Sequence, residues 1–141
     1  MFVIDDTEYN ASWVNDSMEQ TADILNGDNS GRLQGNKSMY LEYIGTFFNT
    51  SGQIRREAAC TDAEWDSLYL TLANPVNNHT VVLPFGQGTL KTDIYISQVK
   101  RKYVQRKHGR RIWGKVYDVT FTAIDSQWLA GEEISGYIEE V

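Results

Sequence analysis

The stretch that decides the fold covers residues 89–124 and reads TLKTDIYISQVKRKYVQRKHGRRIWGKVYDVTFTAI. Apolar residues recur at every second position in its first part, and a similar alternation returns from Ile112 onward. A period of two is typical of strands that bury one face. Because a basic segment around His108 and Gly109 separates the two parts, we predict that they pair as one long β-hairpin.

The tip of this hairpin concentrates the positive charge of the chain. The sequence holds 13 Lys and Arg against 19 Asp and Glu, a net charge of -6. Acidic residues lie almost wholly outside the tip, so a basic projection stands on an acidic body. Such a projection attracts a second copy of the chain, or another acidic partner, over about a Debye length. Seven of the 13 cations fall in the tip: Lys100, Arg101, Lys102, Arg106, Lys107, Arg110 and Arg111.

The clearest helix is predicted over about 61–73. Thr61 and Glu64 match a capping box, in which the Thr hydroxyl accepts a hydrogen bond from a free backbone N–H and the Glu side chain reaches back to the cap. Pro75 cannot continue the helix, which therefore ends shortly before it. We expect one apolar face to lie on the sheet, made by Trp65, Leu68, Tyr69 and Leu72.

The N-terminal segment favours strands. Residues 8–25 alternate unevenly between apolar and polar, although 16–25 also fits a short helix capped by Asp16 or Ser17. We favour a strand there. The cluster at 26–31 is rich in Asn, Asp and Gly and predicts an exposed loop.

Two further strand regions follow. Residues 38–50 are rich in aromatic and branched side chains and apolar on both faces, as expected of a central strand. We expect residues 51–52 to close this strand with a turn and 53–56 to begin a return strand. Residues 79–83 predict a short strand that Pro84 interrupts.

Together these elements predict a mainly β (α+β) fold: a β-sandwich or barrel with one packed helix and one long hairpin. A chain of 141 residues fits a single domain, here residues 1–128, with a C-terminal extension at 129–141 that either docks on a neighbour or frays. No apolar run approaches the roughly 18 to 20 residues that cross a bilayer, and the opening lacks a signal peptide's basic stretch. We therefore expect the protein to stay in the cytoplasm where it is made, without a membrane partner.

Residues that could carry chemistry are scattered. His79 and His108 belong to no metal-ligand pattern, and Cys60 reads as a small apolar filler beside the helix start. The glycines Gly86 and Gly88 lead into a strand and lack the Gly-Lys-Ser/Thr of a phosphate loop, so they predict a bend or bulge. These patterns predict no enzyme activity, no cofactor, no metal and no small-molecule substrate.

The basic tip leaves three interpretations open: a solvated tip without a partner, a contact with another protein subunit, or a nucleic-acid surface. Tyr103 and Trp113 could stack on bases while the cations bind phosphates. An isoelectric point near 4.8 argues against nucleic acid, because the rest of the surface would repel a polyanion.

The order of several short motifs resembles a family of short structural proteins from the tail regions of phages and prophages of Gram-positive bacteria. The resemblance covers about residues 30–128. It implies a tube, distal-tail or baseplate-associated subunit, found in the virion tail after assembly in the host cytoplasm, in a ring of identical subunits with other tail proteins as partners. The motifs are SGR at 30–32, YIGTF at 43–47, WDSLY at 65–69, NPV at 74–76, HTV at 79–81, LPFGQGT at 83–89 and VTFTA at 119–123.

Our leading hypothesis is that the hairpin clasps the adjacent subunit, its seven cations meeting an acidic surface so that copies close into a ring. The basic tip and the acidic C-terminal extension have no counterpart that we can match to the family. The alternative hypothesis is a small nucleic-acid-binding module that uses the same tip.

Overall fold

The computed structural model describes residues 2–26, 31–32, 39–40 and 43–139. Within them the chain forms one helix and fourteen strands. The elements are β1 (Phe2–Ile4), β2 (Thr7–Tyr9), β3 (Ala11–Trp13), β4 (Glu19–Asn26), β5 (Gly31–Arg32), β6 (Met39–Tyr40), β7 (Tyr43–Arg56), α1 (Asp62–Leu72), β8 (His79–Phe85), β9 (Gly88–Lys100), β10 (Tyr103–Lys107), β11 (Arg110–Trp113), β12 (Val116–Ala123), β13 (Trp128–Leu129) and β14 (Tyr137–Ile138).

Ten strands form one antiparallel sheet in the order β13-β7-β12-β9-β8-β1-β2. Both β3 and β4 pair with the other edge of β7, and β14 pairs with β9. Asn10 alone separates β2 from β3, although these strands stand at opposite ends of the sheet order. The sheet therefore curls into a half-barrel, which confirms the predicted β-rich fold with one helix.

The helix packs against this sheet. Trp65, Leu68 and Leu72 on its inner face are buried, as predicted. The indole of Trp65 stacks on the ring of Tyr117 at 3.8 Å between centroids, and the Tyr117 hydroxyl donates to the Trp65 carbonyl at 2.7 Å. Each fully buried side chain of this size contributes about 1.5–3 kcal/mol to folding, so this face holds α1 to the sheet.

The capping box is only half confirmed. The Thr61 hydroxyl accepts from the backbone N–H of Glu64 at 3.1 Å, as predicted. The Glu64 carboxylate does not reach back to the cap; it accepts from the backbone N–H of Asn10 at 2.8 Å and from the Asn10 side-chain amide at 3.1 Å. Asn10 sits at the sharp corner between β2 and β3, where its backbone donor needs a partner, so the carboxylate ties the helix start to that corner.

The predicted turn at residues 51–52 and the return strand after it are wrong. Strand β7 runs without a break from Tyr43 to Arg56, and Gly52 pairs with Val119 inside the sheet. A Cβ at Gly52 would lie 2.9 Å from the Met18 Cα and 3.0 Å from the Trp13 ring. The glycine is there because other groups approach the strand closely, which a sequence pattern does not separate from a turn.

Strand β8 also continues where we predicted an interruption. Pro84 pairs with Thr89 inside the hairpin of β8 and β9, and Gly86 lies in the two-residue turn at φ 56°. Within the described residues, β8 pairs with β1 only at Val81 and Val82, so a proline near the far end of β8 interrupts no contact with β1. The bend or bulge predicted at the glycines is a hairpin turn.

Two other predictions are confirmed. Residues 19–26 form strand β4 instead of a helix. Strands β9 and β12 pair from Ile94 with Ala123 to Lys100 with Asp118, as the long hairpin requires. Each side of that hairpin is broken once, between β9 and β10 and between β11 and β12.

The C-terminal segment is part of the sheet. Strand β13 pairs with Gly45 and Thr46 of β7, and β14 pairs with Thr89 and Leu90 of β9. Residues 128–138 are therefore not a frayed terminus. Residues 27–30 of the predicted loop, residues 38 and 41–42 of the predicted strand, and residues 140–141 lie outside the described residues. No helix in the described ranges has the length and apolar character needed to cross a membrane.

Candidate assembly surface

The basic segment forms a separate two-stranded hairpin, which we call the basic arm (residues 100–113). Its strands pair from Tyr103 with Trp113 to Lys107 with Arg110. His108 and Gly109 form the turn at φ 53° and 75°. Positive φ at both central positions is the geometry of a type I′ turn, whose twist matches that of the flanking strands. The local sequence thus specifies a tight tip.

The outer strand of the arm has little support from the body of the protein. All five side chains of β10 are exposed, including the apolar Val104. An isolated two-stranded hairpin is marginally stable in water. The arm therefore depends on contacts at its root and tip, or on a partner.

Its root is fixed by an aromatic stack around Arg101. The guanidinium lies 3.9 Å from the ring centroid of Tyr69 on α1 and 4.1 Å from that of Trp113 on β11. It also lies 3.6 Å from the carboxylate of Asp66, and Tyr103 packs edge-on against Trp113 at 5.2 Å. Each cation–π contact contributes about 0.5–2 kcal/mol, so Arg101 fastens the arm to the helix.

Its tip leans over the start of α1. The carboxylate of Asp62 pairs with Arg56 of β7 at 2.7 Å and also with Arg110 of the arm. Two of the seven predicted interface residues, Arg101 and Arg110, thus have ionic partners in their own chain. Their structural role was not predicted, because sequence gives no sign that the arm bends toward the helix.

The other five predicted interface cations remain open to solvent. They are exposed, and none has a carboxylate within ion-pair distance in the described part of the chain. Whether they contact another chain stays a prediction. We call them the free cations: Lys100, Lys102, Arg106, Lys107 and Arg111.

A cleft of about 780 Å³ opens between the arm, the start of α1 and the end of β7. Three carboxylates line it, those of Glu57, Asp62 and Asp66. Cations outnumber them two to one, which gives this side of the molecule a positive field despite the negative total charge. The lining cations are Arg55, Arg56, Lys107, Arg110, Arg111 and Lys115.

We did not predict a second exposed region from the sequence. Strand β4 forms a ribbon with β7, and its side chains from Glu19 to Leu25 are exposed. Ile24 is 59% exposed and Leu25 45% exposed, and Ile44 on β7 is 45% exposed. The signal was the Ile24-Leu25 pair: neighbours in a strand face opposite sides, so a one-sided sheet cannot bury both.

The residues considered for chemistry have structural surroundings. The ring of His79 is 2% exposed, and its Nδ1 lies 2.7 Å from the Asp5 carboxylate at the turn between β1 and β2. His108 lies at the arm tip, far along the chain from that pair. Within the described ranges, no three His, Cys, Asp or Glu side chains are placed to hold a metal ion.

Cys60 packs in the core, as predicted. It is 4% exposed, and its burial beside the Glu64 carboxylate raises the pKa of the thiol to about 11. At neutral pH such a thiol is almost wholly protonated and therefore a poor nucleophile. Burial likewise raises the pKa of Tyr117, which keeps the hydroxyl protonated as the donor to Trp65.

No protein-family model and no curated protein sequence matches the chain. Its fold is similar to that of a chain from the solved structure of the virion of a native gene transfer agent (GTA) particle, with a TM-score of 0.50 and 12% sequence identity. The alignment covers 92% of this chain and 95% of that one. At this identity, the likeness establishes a shared fold over almost the whole length of both chains.

Proposed function

We propose that the chain is a virion structural protein, a subunit of the tube, distal-tail or baseplate region of a phage-type tail. The fold shared with a chain of a gene transfer agent virion supports this, because the likeness spans both chains nearly end to end. The proposed partners are other copies of the chain and other tail proteins, with assembly in the host cytoplasm. The proposal includes no catalysis, cofactor, membrane or small-molecule substrate.

The proposed contact between copies is the basic arm, through which they close into a ring. The main support for this contact is that five free cations lie on an exposed hairpin, although the chain as a whole has a net charge of -6. Arg101 and Arg110 hold the arm in place through Asp66 and Asp62, and the free cations are exposed and can meet acidic groups of another copy. Electrostatic pairing of this kind steers encounter and fixes register.

The test neutralises free cations and leaves the anchoring arginines intact. The double variant Arg106→Gln with Lys107→Gln lowers the net charge by two, and the control Asn77→Asp with Asn78→Asp lowers it equally at exposed positions outside the arm. Sedimentation equilibrium should show weaker self-association for the arm variant alone, and the wild type should dissociate as salt rises. Equal association of both variants with the wild type, or a wild type monomeric at about 1 mM, contradicts the proposal.

A second candidate function is a nucleic-acid-binding module on the same arm. It is favoured by the Tyr103 ring, which is 49% exposed beside the free cations. Trp113 is less available for stacking, because Arg101 and Tyr103 already occupy its ring. A salt titration of single-stranded DNA binding separates the two functions: we expect no binding at 50 mM salt, and tight binding with a steep salt dependence favours the module.

A further inference from the structure

The end of the sheet opposite the arm carries an acidic surface. Strand β13 pairs with the early part of β7, and β14 pairs with the first residues of β9. The arm leaves the same sheet from Lys100, the last residue of β9. Five exposed carboxylates surround that far end, and we call them the acidic base: Asp23, Asp125, Glu132, Glu133 and Glu139.

The two charged surfaces do not meet within one molecule. From Thr89 to Lys100 the chain advances eleven residues in an extended strand, about 36 Å at roughly 3.3 Å per residue. That span exceeds three Debye lengths of about 10 Å at 0.1 M salt. The free cations and the acidic base of one chain therefore leave each other unneutralised, and both surfaces remain available to other chains.

The acidic base is a fixed surface. The backbone N–H of Lys91 donates to the Gly136 carbonyl at 3.0 Å, and a Cβ at Gly136 would collide with the Lys91 carbonyl oxygen. The backbone N–H of Ser135 donates to the Gln127 carbonyl at 2.7 Å. These contacts hold the segment that carries Glu132 and Glu133 against the sheet.

We infer that the free cations of the basic arm bind the acidic base of a second copy, five cations facing five carboxylates. The inference rests on the proposed function and names the surface that receives the arm. Asp62, held by Arg56 and Arg110, already shows an arginine of this arm sharing a carboxylate with the body of the protein. The partner of the basic arm is a second copy of the chain, because the residues outside the arm and the cleft carry the excess negative charge that the arm attracts.

The contact is heterologous, since it joins two different surfaces of the same chain. Repetition of such a contact closes into a ring or winds into a helix, depending on the rotation.

The test reverses charge on one surface at a time. The base variant is Glu132→Lys with Glu133→Lys, and its control is Glu8→Lys with Glu19→Lys, which changes the net charge equally on exposed acids outside the base. The arm reversal is Arg106→Glu with Lys107→Glu, and the swapped variant combines the arm reversal with the base variant. Circular dichroism melts first confirm that all chains fold.

We expect the base variant to raise the self-association dissociation constant about 10- to 100-fold, the control to leave it within about 3-fold, and the swapped variant to restore it. If arm reversal alone abolishes association but base reversal does not, the arm is the interface and this inference is overturned. If arm reversal has no effect, the proposed function itself fails. A swapped variant that stays dissociated also counts against the pairing.

Discussion

Replacing Gln127 with leucine tests how the C-terminal segment is built into the sheet. Strand β12 ends at Ala123 and β13 begins at Trp128, so β7 loses its ladder partner between them. The Gln127 side chain fills this gap: its Oε1 accepts from the Phe48 N–H at 3.0 Å, and its Nε2 donates to the Thr92 hydroxyl at 2.9 Å. Gln127 is 4% exposed, so water cannot easily replace it.

Leucine has a similar size and leaves the Phe48 N–H and the Thr92 hydroxyl without their partner. Each buried polar group left unpaired costs about 1–3 kcal/mol, so the variant should lose about 2–6 kcal/mol of unfolding free energy. With a denaturant slope of about 2 kcal/mol per molar urea, the unfolding midpoint should fall by about 1–3 M. Urea titrations followed by tryptophan fluorescence measure this shift.

The matched control is Gln98→Leu, at an exposed glutamine of β9. Its midpoint should move by less than about 0.3 M, since exposed substitutions usually change stability by under 0.5 kcal/mol. A Gln127→Leu midpoint equal to that of the control would refute the bridging role. Greater stability than wild type would refute it as well, because apolar filling would then outweigh both hydrogen bonds.

Three further predictions concern the helix start and the sheet. The hydrogen bond from the Asn10 N–H holds the pKa of Glu64 below its usual 4.5, so the stability that the carboxylate adds is present above pH 4.5 and is lost as the pH falls below that value. The Glu64→Gln variant should therefore be less stable than the wild type at pH 7, and its stability should fall less steeply as the pH is lowered. Equal profiles of stability against pH for the two proteins would contradict this. Cys60, with a pKa of about 11, should resist a disulfide reagent at pH 8 in the native protein and react in urea; fast native labelling would contradict its burial. Gly52→Ala should cost about 1–3 kcal/mol of unfolding free energy, because the new Cβ meets Met18 at 2.9 Å; an unchanged melting curve would contradict the close approach.

The helix and the paired strands β9 and β12 could be predicted because local signals and tertiary structure agree there. Thr61 caps the helix, and Trp65 begins an apolar face with the helical period. The two long strands alternate with a period of two and flank a turn whose residues accept positive φ. In these segments the sequence alone decides the local structure.

The wrong predictions concern residues whose structural role depends on contacts with residues far away in the sequence. Gly52 resembles a turn residue but is a point of close approach inside β7. Glu64 fits a capping box locally, and Asn10, 54 residues earlier, takes its carboxylate. The tail lacks periodicity because Gln127 and two short strands fix it, and neither leaves a repeating pattern.

The candidate surface was predicted in part for the same reason. The charge cluster at 100–111 is visible in sequence, and the exposed hairpin follows from its pattern. The division into anchoring and free cations depends on Asp62 and Asp66, which only the bend of the arm over α1 brings near. Four members of the acidic base lie in the C-terminal segment, and only the pairing of β13 and β14 with the sheet places them at the end opposite the arm.

Zero-length carbodiimide cross-linking tests most directly whether the basic arm of one copy binds the acidic base of another. The assembled protein is prepared for it from equal amounts of ¹⁴N- and ¹⁵N-labelled chains. The carbodiimide couples a lysine amine only to a carboxylate in direct contact. We expect mixed-isotope peptides that join Lys102 or Lys107 of one copy to Glu132, Glu133 or Glu139 of another. Arm lysines that couple only within their own chain, or to no carboxylate of the acidic base, would contradict it.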